Sequence, residues 1–173
     1  MGSLHLIIGP MYSGKTTQLM NLHDIVNQKN NTFIIDYDQN IYCSKKKFYN
    51  HDNLALDCYK CNNLDNITNN HEFIKTKYIF INEGQFFANL KNWVIFQIEI
   101  NKKNIVICGL DSDFKREKFG ELLDLVPFAN TLNKMYGNCH FCKNRSLFSM
   151  RITENKNQID FSYDNYCGKT SLQ

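Results

Sequence analysis

The sequence predicts an α/β fold in which a parallel β-sheet is flanked by helices. Short, continuous apolar runs are typical of strands buried on both faces of a parallel sheet, and here they alternate with helical patterns. After Leu132 the pattern changes to a Cys-x-x-Cys followed by alternating residues, which indicates a small β-rich appendage. We therefore predict a main domain over residues 1–134 and a small subdomain over residues 135–173.

The first predicted strand, Leu4 to Ile8, leads into a glycine-rich loop of the pattern G-x-x-x-x-G-K-[ST] and then into a helix. The loop consists of Gly9, Pro10, Met11, Tyr12, Ser13, Gly14, Lys15 and Thr16. Such a loop directs backbone N–H groups and the positive end of the helix dipole at a phosphate. Lys15 can reach the outer phosphates, and the Thr16 hydroxyl can join the coordination shell of Mg²⁺. The loop predicts nucleotide binding with magnesium; a chance match is the alternative.

The next elements follow from apolar spacing. Leu19, Leu22 and Val26 predict a helix over residues 16–26, and residues 32–35 form a short apolar strand. The polar stretch over residues 36–53 contains three consecutive lysines and is interpreted as a long mobile loop with a solvated surface.

The central part of the chain contains two more buried strands, at residues 78–81 and 105–108, with a helix over residues 90–100 between them. A further short helix is predicted over residues 122–126, before Pro127.

Three candidate site residues follow directly after predicted strands: Gly9, Glu83 and Leu110. Because the carboxyl ends of parallel strands meet at one edge of a sheet, we expect these residues to lie on the same rim, where ligands gather.

Composition limits the functional classes. Of 173 residues, 43 % are hydrophobic and 2 are proline, which argues against disorder. The net charge of +3 is too mild to imply a nucleic-acid partner. The N-terminus lacks a signal pattern and no apolar run reaches the length of a membrane span, so we expect a cytoplasmic protein without a membrane partner. The 7 cysteines are an odd number, which favours thiols or metal ligands over disulfides.

The run Asn82-Glu83-Gly84-Gln85-Phe86-Phe87 narrows the function. Together with other segments it resembles the zinc-containing thymidine kinases of animals, bacteria and large DNA viruses, and the poxvirus-like members are the nearest in length. The matching segments are residues 9–16, His51-Asp52, 82–87, 109–114, 118–120, 125–127 and the Cys-x-x-Cys at 139 and 142. The resemblance implies transfer of the γ-phosphate of ATP, with Mg²⁺, to the 5′-hydroxyl of thymidine. If the protein comes from a virus, we expect it to be located in the cytoplasm of the host cell.

The resemblance also implies site residues. Glu83 would be the base that accepts the hydroxyl proton. The thymidine slot would be lined by Met11, Phe86, Leu110, Phe114, Phe119, Ser149 and Tyr163. Leu110 and Phe119, taken singly, are equally typical of ordinary core residues.

A structural zinc at the base of a flap called the lasso is implied as well, so the expected fold is a P-loop sheet with a C-terminal zinc-lasso subdomain. Cys139, Cys142 and Cys167 match three ligands, while Thr170 occupies the fourth position. The missing donor could be His140, a water or a partner's side chain. A second pair, Cys58 and Cys61, could in principle complete the site, but we favour simple burial for it. A homotetramer and feedback inhibition by thymidine triphosphate are further implications.

Four departures distinguish the chain from the family pattern. Asn82 stands where the family has an acidic residue that steers Mg²⁺, the loop after Ile35 lacks an Asp-x-Arg, the lasso lacks a glycine pair, and the zinc set is incomplete. The departures motivate an alternative, a catalytically weakened nucleotide-binding homologue with a regulatory role. An unrelated nucleic-acid ATPase that shares only the phosphate loop is a third hypothesis.

Overall fold

The structure is a computed structural model. It describes residues 1–27, 31–40, 43–50, 54–154 and 156–159, together with the backbone of residues 166–169. Tyr163, Thr170 and the pair His51-Asp52 lie outside the described residues.

A mostly parallel sheet forms the centre of the described chain. Its spatial order is β3-β4-β2-β5-β6-β1-β7, and β3 alone of these strands runs antiparallel to its neighbour. In chain order the strands are β1 (Ser3–Ile8), β2 (Thr32–Tyr37), β3 (Ser44–Tyr49), β4 (Ala55–Cys61), β5 (Tyr78–Ile81), β6 (Asn104–Gly109) and β7 (Thr131–Lys134). The predicted α/β fold with a parallel sheet is confirmed.

Helices cover both faces of this sheet. They are α1 (Lys15–Asn27), α2 (Asp65–Thr68), α3 (His71–Lys75), α4 (Leu90–Glu99) and the 3₁₀ helices Gly84–Phe86 and Leu122–Phe128. Ile79 and Ile81 of β5 belong to the core shared with α2, α3 and α4, while Phe80 between them packs in the core beneath α1. This two-sided burial explains why the central strands are continuous apolar runs.

The short helix predicted before Pro127 is a 3₁₀ helix that continues through the proline. Its turns are closed by Asp124 N–H donating to the Glu121 carbonyl and by Ala129 N–H donating to the Val126 carbonyl. Pro127 has no N–H, and neither of these bonds needs one, so the proline does not end the helix.

The prediction of a loop over residues 36–53 is wrong in part. β3 lies within it and pairs with β4, from Ser44 opposite Lys60 to Tyr49 opposite Ala55. Phe48 is the one strongly buried apolar side chain of β3, and Lys45 to Lys47 are exposed. Three consecutive lysines conceal the alternation that would identify an edge strand. The expected burial of Cys58 and Cys61 is confirmed, since both lie inside the core from β4.

The described segments after Lys134 form two small antiparallel sheets. β8 (Gly137–Asn138) pairs with β9 (Arg145–Ser146), and β10 (Phe148–Arg151) pairs with β11 (Tyr166–Lys169). The division into domains at residues 134 and 135 stays a prediction. Over the described segments, no helix combines the length and the apolar character that a membrane crossing requires.

Candidate active site

A pocket opens at the carboxyl ends of β1, β5 and β6, the rim where the sequence predicts ligand binding. It is lined by Met11, Tyr12, Ser13, Gly14, Lys15, Thr16, Thr17, Glu83, Gln85, Phe86, Leu110, Ser112, Asp113, Phe114, Phe119, Ser149 and Gln158. The structure therefore brings together Glu83, the glycine-rich loop from Met11 onward and every expected nucleoside contact except Tyr163, which is not described.

The glycine-rich loop connects β1 to α1 through backbone shapes that other residues resist. Gly9 has a φ of 155°, and a Cβ there would lie 2.6 Å from the Met135 carbonyl oxygen. Gly14 adopts a φ of 79° just before α1 begins. Ser13 Oγ donates to the Pro10 carbonyl over 2.8 Å and closes the loop on itself. These constraints fix the loop at the start of α1, where a helix favours anions.

Lys15 is buried at the first residue of α1, and its ammonium donates to the Pro10 carbonyl over 2.6 Å. Burial lowers the pKa of Lys15, while the nearby Glu83 carboxylate acts in the opposite direction. A buried cation at the start of a helix, close to a carboxylate, can offset the charge that develops on a transferred phosphoryl group.

Glu83 follows β5 in a left-handed conformation, with φ 56° and ψ 42°. This backbone costs a non-glycine residue about 1–3 kcal/mol and is frequent at functional sites. The Glu83 carboxylate accepts a 2.6 Å hydrogen bond from Gln85 Nε2. Gln85 is 2 % exposed, and its Oε1 accepts a 2.9 Å bond from Leu110 N–H. Gln85 thereby ties the carboxylate to the loop after β6.

Aromatic side chains form one wall of the pocket. Phe86 meets Phe119 edge to face, with ring centroids 5.3 Å apart. Phe114 is covered by the Arg151 guanidinium at 4.0 Å. Ser149 Oγ, which also lines the pocket, accepts a 2.9 Å bond from Met11 N–H and joins β10 to the glycine-rich loop. The result is a largely apolar slot with a few polar groups, which suits a flat ring.

The segment after β10 is held over this slot by polar contacts. Arg151 donates to the carbonyls of Asn157 and Gln158. Gln158 Nε2 donates to Asp113 Oδ2 over 3.0 Å, and the other Asp113 oxygen accepts from the N–H groups of Lys115 and Glu117. Asp113 therefore shapes the loop after β6 and also anchors the covering segment.

Comparison with known proteins decides the family. The sequence model of the family described as thymidine kinase matches residues 2–170. The chain belongs to the thymidine kinase family. The predicted resemblance is confirmed.

Relatives in this family come from viruses and plants. The thymidine kinase of Amsacta moorei entomopoxvirus is 36 % identical over 168 residues, covering 91 % of this chain and 88 % of the relative. The thymidine kinase of sheeppox virus is 32 % identical over 158 residues, covering 90 % of this chain and 86 % of the relative. The thymidine kinase of rice, Oryza sativa subsp. japonica, is 30 % identical over 171 residues, covering 95 % of this chain and 63 % of the relative. The chain spans less than two thirds of the length of the plant relatives, 63 % and 65 %.

Oxygen donors near the glycine-rich loop fit the Mg²⁺ that thymidine kinases are expected to use. Thr16 Oγ1 lies 3.4 Å from Asn82 Oδ1, to which it donates. Hydroxyl and amide oxygens beside phosphate oxygens are the hard ligands that Mg²⁺ prefers. The donor set fits magnesium, although position 82 contributes no charge.

The expected zinc ligands are only partly described. Cys139 is buried and Cys142 exposed, in a turn where Cys139 N–H donates to the Asn144 carbonyl and Lys143 N–H donates to the Cys139 carbonyl. The backbone of Cys167 lies opposite Met150 in the sheet of β10 and β11, and β11 contacts β8. Among the side chains that the structure describes, no three His, Cys, Asp or Glu residues are grouped to hold a metal.

Sequence reasoning missed Gln85, Asp113 and Gln158 as site residues. Gln85 lies inside the recognised motif, but nothing in the pattern indicates that a neutral amide orients the carboxylate two positions away. Asp113 and Gln158 gain their importance from contacting each other across 45 residues of chain. No spacing rule reveals such a contact.

Proposed function

We propose that the protein transfers the γ-phosphate of ATP to the 5′-hydroxyl of thymidine. The observation that carries the proposal is that the glycine-rich loop, Glu83 and an aromatic slot share one pocket. Membership in the thymidine kinase family supports the same reaction.

The glycine-rich loop and Lys15 would bind the phosphates of ATP. ATP phosphates would displace the Lys15 ammonium from the Pro10 carbonyl, and its charge would then offset the charge that develops on the transferred group. Thr16 and Asn82 would hold Mg²⁺, which would neutralise part of the charge on the phosphates.

Glu83 would accept the proton of the thymidine 5′-hydroxyl. A hydroxyl placed within about 3 Å of its carboxylate can lose its proton as the oxygen attacks the γ-phosphorus. Gln85 holds the carboxylate in place through its 2.6 Å bond, so the base needs little reorganisation.

Thymidine recognition falls to the aromatic slot. Phe86 and Phe114 would stack on the pyrimidine, and the apolar side chains of Met11 and Leu110, which line the same pocket, would contact the methyl group. Phe119 and Ser149 complete the lining of the slot, and Tyr163 is proposed as a further contact from the segment that is not described.

The test is a nucleoside panel with ATP and Mg²⁺, with products separated by chromatography. We expect thymidine monophosphate from the wild type and its loss in Lys15→Ala, while Lys46→Ala, on the exposed part of β3, keeps wild-type activity. ATP binding without product would favour the regulatory homologue. ATP hydrolysis stimulated by nucleic acid, without phosphorylated nucleoside, would favour the unrelated ATPase.

We also propose the remaining family features for this chain: a zinc held by Cys139, Cys142 and Cys167, a homotetramer, inhibition by thymidine triphosphate and a cytoplasmic location. The turn at Cys139 and the contact of β11 with β8 support the zinc. Metal analysis of purified protein should give one zinc per chain. Gel filtration and a kinase assay with added thymidine triphosphate test assembly and feedback.

A further inference from the structure

A second cavity lies on the other side of Thr16, at the carboxyl ends of β2, β4 and β5. Asp36, Lys60 and Asn82 line its inner part, and Glu83 borders both this cavity and the nucleoside pocket. The cavity therefore adjoins the place where magnesium and the outer phosphates are expected. Asp36 is not among the site residues predicted from the sequence, although it directly follows the strand predicted at residues 32–35.

Asp36 is a buried carboxylate, 5 % exposed, near the end of β2. The parallel register places it beside Lys60 of β4, and Lys60 Nζ lies 3.1 Å from Asp36 Oδ2. Burial alone would lower the pKa of Lys60, but the Asp36 carboxylate outweighs this and raises it. A carboxylate is retained inside a protein when such partners compensate its burial.

The other Asp36 oxygen faces Asn82. Asn82 Nδ2 donates to Asp36 Oδ1 over 2.8 Å, and Asn82 Oδ1 accepts from Thr16 Oγ1 and, over 2.9 Å, from Cys108 Sγ. Because one side of the amide meets an acceptor and the other side meets donors, its oxygen must point towards Thr16.

We propose that Asp36 is a positioning residue for Mg²⁺, which holds the Asn82 oxygen towards the metal and neutralises the nearby Lys60 ammonium, which would otherwise repel the metal. This inference rests on the proposed kinase function. An acidic residue at position 82 would bring its charge to the metal directly; here the carboxylate lies one hydrogen bond further away and is paired with Lys60. Residues that orient a metal ligand in this way typically change metal affinity by about tenfold to a hundredfold.

Three variants test the proposal. Asp36→Asn removes the charge but keeps the size of the side chain and a hydrogen-bonding partner for Asn82. The exchange variant Asp36→Asn/Asn82→Asp moves the carboxylate to position 82 and keeps the total charge. Asp38→Asn is the matched control, because Asp38 lines the same cavity while its carboxylate accepts from Asn40 N–H.

The first measurement is Mn²⁺ binding to protein saturated with a non-hydrolysable ATP analogue. Electron paramagnetic resonance reports the concentration of free Mn²⁺ in this titration. It requires no phosphoryl transfer. We expect Asp36→Asn to bind Mn²⁺ about tenfold to a hundredfold more weakly than the wild type. The exchange variant should bind at least as tightly as the wild type, and Asp38→Asn should stay within about twofold, because the Asp38 carboxylate contacts Asn40 N–H and not Asn82.

The second readout is the Mg²⁺ concentration that gives half-maximal thymidine phosphorylation. Asp36→Asn should raise it by the same factor, with kcat at saturating Mg²⁺ close to that of the wild type. A purely structural role would not give this separation. Thermal unfolding of the metal-free proteins checks that each variant folds. If Asp36→Asn does not fold, the Mn²⁺ affinity of the exchange variant still tests the proposal.

Unchanged Mn²⁺ affinity in Asp36→Asn, or an exchange variant that binds Mn²⁺ more weakly than the wild type, would overturn the proposal. Failure of the proposed function looks different: the wild type would then form no thymidine monophosphate at any Mg²⁺ concentration, whatever its Mn²⁺ affinity.

Discussion

Gln85 links the two halves of the proposed chemistry. Its amide donates to the Glu83 carboxylate and accepts from Leu110 N–H, so one buried side chain sets the distance between the base and the nucleoside slot. Gly120 permits this arrangement, because a Cβ at position 120 would overlap the Gln85 carbonyl oxygen. The position of the Gln85 backbone therefore requires a glycine at position 120.

Replacement of Gln85 by methionine should lower kcat by about tenfold to a hundredfold. A hydrogen bond to a charged group contributes about 1.5–3 kcal/mol, and its loss frees the Glu83 carboxylate to leave its reactive position. ATP affinity should stay close to that of the wild type. Steady-state kinetics with equilibrium ATP binding measures both quantities.

Gln97→Met is the matched control for this variant. Gln97 is as buried as Gln85, but it lies in α4 and accepts from Asn101 Nδ2. The control should lose stability and keep kcat. Equal losses of kcat in both variants would show that Gln85 acts through general stability and not through Glu83.

Among the helices, α3 is short and depends on a side chain from elsewhere for its C-terminal end. Lys103, which precedes β6, is buried, and its ammonium donates to the carbonyls of Phe73 and Thr76 over 2.8 and 2.6 Å. It also lies over the Phe73 ring at 4.3 Å. This lysine therefore provides a charged donor to the Thr76 carbonyl and a second donor to the Phe73 carbonyl, which also accepts from Thr76 N–H.

Lys103→Met should reduce the free energy of unfolding by about 2–4 kcal/mol, because two carbonyl groups lose a charged donor. Lys102→Met changes an exposed neighbour and should stay within about 0.5 kcal/mol of the wild type. Urea unfolding measures both. Similar stabilities of the two variants would contradict the assigned role.

The segment after β10 is an element whose position depends on Arg151. Its guanidinium covers Phe114 and donates to two carbonyls of the segment, a geometry that lysine reproduces poorly. We expect Arg151→Lys to raise the KM for thymidine about tenfold with little change in the KM for ATP, since each such contact contributes about 1 kcal/mol.

The control for Arg151 is Arg145→Lys. Arg145 also covers an aromatic ring, that of Tyr136 at 3.7 Å, but it is exposed and does not line the nucleoside pocket. Its KM values should match those of the wild type. If both substitutions raise the KM for thymidine alike, the segment is not positioned by Arg151.

On the scale of the whole molecule, the sequence predicts the parts whose signal is local. The strands at residues 78–81 and 105–108 are recognisable because burial on both faces makes them apolar throughout. β3 is not, because a single residue, Phe48, is its buried anchor and three lysines follow one another beside it. The edge of the sheet carries the weakest pattern, and the prediction failed there.

The same distinction applies to the site. The glycine-rich loop and Glu83 are found from motifs, because their residues are adjacent in the chain. Asp36 and Gln158 have roles that arise only when distant segments meet, Asp36 with Asn82 and Gln158 with Asp113. The zinc ligands and Tyr163 stay predictions, since the decisive side chains lie outside the described residues.

One pocket is proposed to hold both substrates, and Glu83 is proposed to activate the thymidine hydroxyl. The most direct measurement follows label from [γ-³²P]ATP in the wild type and in Glu83→Gln. We expect label on thymidine monophosphate from the wild type, and transfer about 10²- to 10⁴-fold slower in the variant, as the loss of a general base predicts, with both substrates still bound. Wild-type transfer by Glu83→Gln, or label released only as inorganic phosphate by the wild type, would contradict the account.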